Sequence, residues 1–247
     1  MNRVNTERTP AAKRRVAGHR LPQLGAGAAL ALFSLLATGV CLEGKPYFAW
    51  DLEVSRAVQA VPWPTGFETL MHGISLAGDD VSSAAGLVIV VCLALLAFRA
   101  RREAVVLGLV AAAGHLFKAS LKYGIGRPRP TPELVNVLSH PGDYSFPSGH
   151  TVHYVVFLGF LWFLTFALVR PRLLRWPLLG LLGSLVLLVG LSRVYLGAHW
   201  ASDVLGGYLL GGALLTLAIC GYRGWSRRAA VVAEELILAG EPVIAEA

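Results

Sequence analysis

The chain has 247 residues, 55% of them hydrophobic and only 15% charged, with a mean hydropathy of +0.59. So little charge excludes an ordinary soluble domain of this size and points to a polytopic membrane protein. The net charge of +7 does not mark a nucleic-acid binder. Six of the 22 Lys and Arg lie in residues 1–20, three in 99–102, three in 170–175 and three in 223–228. All of these flank apolar runs, as positive-inside topology requires.

Taken in chain order, six apolar stretches read as membrane-crossing helices, at 21–42, 81–98, 104–121, 151–169, 177–191 and 204–220. The predicted fold class is all-α, a six-helix transmembrane bundle. Residues 1–20 form a basic cytoplasmic tail, 21–222 the membrane domain and 223–247 a cytoplasmic C-terminal tail. The first stretch has a small-x-small pattern at Ala37-Thr38-Gly39, yet it exceeds the ~7–15 residues of a signal-peptide core, so it reads as a retained anchor.

Residues 43–80 form the largest external segment and contain two interfacial helices. Val54, Ala57, Val58 and Val61 follow helical spacing, as do Phe67, Leu70, Met71 and Ile74. Thr65 and Glu68 have the spacing of a capping box, Trp50 and Trp63 suit the headgroup level, and Asp79 with Asp80 cap the second stretch. With the basic clusters inside, both termini are cytoplasmic. The 3–4 and 5–6 connections then lie outside. Cys41, Cys92 and Cys220 sit in or beside apolar runs, with neither disulfide-framework nor metal-ligand spacing.

Three polar runs interrupt this pattern on the external side. Lys122-x6-Arg129-Pro130 follows the third stretch, where Gly124, Gly126, Pro128 and Pro130 turn the chain. Arginine suits bidentate contact with a phosphate and lysine supplies a compact charge. Alone, this run would be a membrane-edge orientation signal on the wrong side. Phe146-Pro147-Ser148-Gly149-His150 opens the fourth stretch. Ser148 can cap, Gly149 lets backbone approach a ligand, and a helix start attracts an anion. Ser192-Arg193-x5-His199-x3-Asp203 joins the fifth and sixth. His199 and Asp203 fall four apart on one helix face. A carboxylate there can hold the Nδ1–H and leave Nε2 as a lone-pair donor. An aspartate at the mouth of a membrane helix is costly without a partner or a role. Arg127 admits a phosphate contact or a structural role equally. His115 and His153 read as packed residues, and Gly207-x3-Gly211 as a close-packing signal.

In that order the three runs resemble the type 2 phosphatidic acid phosphatase family, the membrane branch of the lipid phosphatase and vanadium haloperoxidase superfamily. Every defining position of K-x6-RP, PSGH and SR-x5-H-x3-D is filled, over a core of 122–203. The resemblance implies a lipid phosphatase in which His199 is the nucleophile forming a phosphohistidine. Asp203 would orient it, and His150 would be the general acid and then base. Lys122, Arg129, Arg193, Ser148 and Gly149 would hold the phosphoryl oxygens. It implies no cofactor and no metal, the cations taking the place of a divalent ion. Its partners are a lipid phosphate substrate and membrane lipids, not nucleic acid. Implied substrates are prenyl diphosphates, undecaprenyl diphosphate first, then phosphatidylglycerol phosphate, phosphatidic acid or lipid A phosphates. Competing readings are a lipid phosphotransferase, a vanadate-binding oxidoreductase and a non-catalytic lipid transporter or binding protein. Oligomeric state has no signature in the chain.

Overall fold

The computed structural model describes residues 10–78 and 81–239. Among them all regular structure is helical: α1 Pro10–Leu42, α2 Ala49–Ala60, α3 Phe67–Ser75 with a 3₁₀ turn Leu76–Gly78, α4 Val81–Ala97, α5 Arg101–Ile125, α6 Gly149–Leu168, α7 Arg172–Tyr195 and α8 Ala201–Ala239. The expected caps Asp79 and Asp80 lie outside the described residues, as do the first nine and last eight positions of the two tails. Five helices are long and apolar enough to cross a membrane: Leu21–Leu42 within α1, then α5, α6, α7 and most of α8. α4 is equally apolar but has 17 residues, about 25 Å of helix against a hydrocarbon core of about 30 Å.

α6 is the centre of the bundle and packs on α5, α7 and α8. On one side Phe157, Phe160 and Phe163 meet Met71 and Ile74 of α3 and Val189 of α7. On another, Val152 and Val156 meet Phe33 and Val40 of α1 and Leu210 of α8. The Gly207–Gly211 spacing serves this packing within the chain. A Cβ at Gly207 would lie 2.7 Å from Cβ of Thr151, and one at Gly211 2.9 Å from Cβ of Val155. Glycine therefore seats α8 almost backbone to backbone on α6.

The helices alternate in direction, so one end of the bundle collects every motif. Gly78, just before α4, packs on the ring of His150 at the start of α6. Pro46, just after α1, accepts a hydrogen bond from Arg127 beyond the end of α5.

Two expectations need correction. The buried face of α2 is Asp51 and Ser55, while Val54 and Val61 are 38% and 44% exposed. The helix is docked by a carboxylate rather than by its apolar stripe. In α3, Met71 and Ile74 are buried but Leu70 is exposed, and the Thr65–Glu68 box is not the cap. Gly66 holds that place with φ +90°, a conformation that costs glycine little. The predicted boundary at 223 falls inside a helix. α8 continues to Ala239 because the run from Trp225 is rich in Ala, Arg, Glu and Leu. It is held to α5 by Tyr222 Oη donating to Glu103 at 2.5 Å and by Arg102 over the Trp225 ring. At the other end of the chain, α1 likewise begins at Pro10, inside the predicted tail.

Candidate active site

The ends of α5 and α7, the starts of α6 and α8, and the loop 126–148 bring one cluster of polar side chains together among apolar helices. Lys122, on the last turn of α5, is 4% exposed. Its Nζ donates to Tyr144 O at 2.5 Å and pairs with Asp143 at 2.7 Å. Arg129 lies beyond the turn at Gly126, whose φ of +65° closes the helix. Its Nη2 pairs with the same Asp143, its Nε donates to Asp143 O at 2.6 Å, and its Nη1 donates to Ala198 O at 2.5 Å. The two cations of the first motif are thus bridged by one carboxylate, which is half-exposed. Burial works to raise the Asp143 pKa, but Lys122 and Arg129 outweigh it and hold the group below its ordinary value.

His199 lies in the turn between α7 and α8. The left-handed Gly197 of that turn comes so close to the Asn136 carbonyl that no Cβ fits there. Arg129 Nη1 is 3.1 Å from His199 Nε2. A guanidinium can only donate, so Nε2 is the acceptor and Nδ1 carries the ring proton. Burial first, then Arg129, Lys122, His150 and Arg193, push the His199 pKa well below its ordinary value. The imidazole is neutral, with its lone pair facing the cations. The Nδ1 side differs from the expected direct bond: Asp203 Oδ2 is 3.6 Å away. Ser145 stands beside the pair, within reach of both groups. Its hydroxyl donates to Asp203 Oδ2 and lies 3.4 Å from His199 Nδ1.

Ser148, fully buried, is the N-cap residue of α6, and its N–H donates to Asp203 O at 3.0 Å. Its Oγ accepts from Thr151 at 3.0 Å rather than capping the helix. At Gly149 a Cβ would lie 3.5 Å from Lys118 Nζ and 3.6 Å from Lys122 Cε, so this backbone turn faces both lysines. His150 Nε2 lies 3.3 Å from Arg193 Nη1; both residues are buried. The three sequence runs therefore meet in one net-positive cluster. His153 stacks on Phe157 and lines a small cavity with His115 and Lys118.

Arg127 is resolved by its contacts. It bonds to none of Lys122, Arg129, His150, Arg193 or His199 in the hydrogen bonds described. Its Nη1 donates to Asp203 Oδ1 at 2.5 Å and to Ser202 Oγ at 2.6 Å, and its Nη2 to Asp51 Oδ2 at 2.8 Å. Asp51 also accepts from Ser202 N and Ser202 Oγ, each at 2.7 Å. Breaking a buried pair of this kind costs about 3–5 kcal/mol. Sequence reasoning missed Asp51, Ser145, Asp143 and Lys118. Asp51 and Ser55, four apart on α2, did carry a signal as a polar stripe alongside the apolar one. Asp143 and Ser145 carried none, because a loop has no period from which to read orientation.

A buried imidazole with its lone pair turned to a cluster of cations, inside a bundle of membrane-length helices, defines a membrane phosphohydrolase. The PAP2 superfamily model matches residues 103–227, and the chain belongs to that superfamily. Phosphatidylglycerophosphatase B of Bacillus subtilis is 31% identical over 164 residues, 65% of this chain and 77% of that protein. An undecaprenyl-diphosphatase of Sulfolobus acidocaldarius is 40% identical over 79 residues, 32% of this chain and 34% of that one. Among solved structures, a transmembrane PAP2-type phosphatidylglycerolphosphate phosphatase from Bacillus subtilis superposes with a TM-score of 0.68 at 27% identity, over 82% of this chain and 96% of that one. Aquifex aeolicus LpxE gives 0.53 at 26% identity, over 70% and 96%. The protein is a lipid phosphate hydrolase of the membrane branch.

Proposed function

We propose that this protein removes phosphate from a prenyl diphosphate, undecaprenyl diphosphate first among them, through a phosphohistidine on His199. The orientation of His199 carries the reading: its Nε2 accepts from Arg129, so the lone pair points to where a phosphoryl group bound by Lys122, Arg129 and Arg193 would sit. In-line attack by Nε2 forms the N–P bond as the lipid oxygen leaves with a proton from His150. The same His150 then takes a proton from the water that cleaves the intermediate. Asp203, through Ser145, keeps the Nδ1 proton in place and offsets the charge that develops on the ring. Phosphoryl transfer is mostly positioning and charge stabilisation, and the covalent step divides one barrier into two.

Six crossings follow if α4 spans with local thinning of the bilayer. Both termini are then cytoplasmic and the pocket opens at the external face of the cell membrane, where a headgroup can enter while its chains stay among the helices. The undecaprenyl-diphosphatase relative supports the substrate reading, and the phosphatidylglycerophosphatase relatives make phosphatidylglycerol phosphate the comparison. The deciding experiment is phosphate release by purified protein against lipid mono- and diphosphates. Preferred turnover of the prenyl diphosphate is expected. Preference for phosphatidylglycerol phosphate would reassign the substrate, and label passed from donor to an acceptor lipid would make it a phosphotransferase.

A further inference from the structure

Asp51 lies on α2, outside the superfamily match, yet it is fully buried and 151 residues from the serine it holds. Its two oxygens have four partners: the N–H of Phe48 at 3.1 Å, the N–H and hydroxyl of Ser202, and Arg127 Nη2. Arg127 in turn places Nη1 on Asp203 Oδ1 at 2.5 Å. That leaves Asp203 Oδ2 for Ser145 and the N–H of Trp200, the side that faces His199. The Asp203 carboxylate is thus held at both oxygens and cannot rotate without breaking a charge-assisted bond.

We propose that Asp51 and Arg127 are a positioning pair for the His199–Asp203 couple, which makes the external helix α2 a working part of the reaction centre. This rests on the phosphohistidine reading above. The charges act in opposite senses. Without Asp51, the Arg127 cation is compensated by Asp203 alone, so Asp203 supports an imidazolium on His199 less. Without Arg127, the field of Asp203 falls fully on His199. Lys122, Arg129, His150 and Arg193 face the same ring and are common to all variants.

The test compares Asp51→Asn and Arg127→Gln with the wild type in detergent, reading kcat, KM, the acid limb of kcat/KM and orthovanadate binding by calorimetry. The expected result is a fall in kcat of roughly 10- to 100-fold, the size typical of groups that orient a reacting residue. KM and vanadate affinity stay within about threefold, because the anion cradle is untouched. The acid limb moves down for Asp51→Asn and up for Arg127→Gln. Asp51→Glu, which keeps the charge, recovers part of kcat. Unchanged kcat in both variants overturns the proposal. So does loss of vanadate binding in step with kcat, which is the mark of a scaffold role or of misfolding, and so do limbs that move together. A wild type that releases phosphate from no lipid rejects the underlying reading instead.

Discussion

In the proposed mechanism His199 concentrates the chemistry in one side chain. Replacing it with alanine should leave insertion and detergent behaviour unchanged and lower turnover by a factor on the order of 10³ or more, measured as phosphate release; Asp203→Ala should do nearly as much. The pH dependence has a definite sign. The folded pKa of His199 is depressed below its ordinary value of 6.5, so the folded state holds the ring neutral where an unfolded chain would begin to protonate it. Stability from this group is complete above about pH 6.5 and declines as pH falls below it. The acid limb of kcat/KM, corrected for the ionisation of the substrate, should lie below 6.5, and a limb above that value would contradict a neutral buried imidazole. Asp143 gives a second residue-scale prediction. It binds the two cations that a phosphate would use, so Asp143→Asn should tighten orthovanadate inhibition about three- to tenfold. Weaker inhibition would mean that Asp143 arranges Lys122 and Arg129 rather than competing for them.

At the scale of elements, the crossing of α6 and α8 sets the distance between their first turns, and hence between His150 and Asp203. Gly207 allows that crossing, with Thr151 and the Ser148 carbonyl within 3.0 Å of a Cβ placed there. Gly207→Val should cost about 1–3 kcal/mol by overpacking, seen as a lower melting temperature, and should reduce turnover because the turn carrying Ser148 and Gly149 is pushed. Gly212→Ala is the control: a Cβ there meets nothing within 4 Å. α2 shows how a helix can follow a different logic from its apolar period. Val54 is left exposed and Val58 half-buried, both lining an apolar groove with Leu187, Leu191 and Tyr208, because a buried carboxylate with four partners outweighs a stripe of small side chains.

The whole molecule is an alternating bundle with its polar chemistry gathered at one end. The proposed topology makes a labelling prediction. In a background lacking Cys41, Cys92 and Cys220, a cysteine in place of the exposed Glu133 should react with a membrane-impermeant maleimide added to intact cells. One in place of Arg170, in the α6–α7 connection, should react only after lysis. The reverse pattern would put the pocket on the cytoplasmic side.

The family, the helical class and five of the six spans were written in local sequence: apolar length marks helices, glycine and proline mark turns, and charge runs mark their ends. These depend on neighbours within a few positions, so periodicity reports them. What Arg127 and Asp51 touch, how Ser145 stands beside His199 and Asp203, and which face of α2 is buried were decided only by the tertiary structure. Each is a contact between residues tens to more than a hundred positions apart. The energy of such a contact comes from excluding water around both partners at once, and no local pattern encodes that.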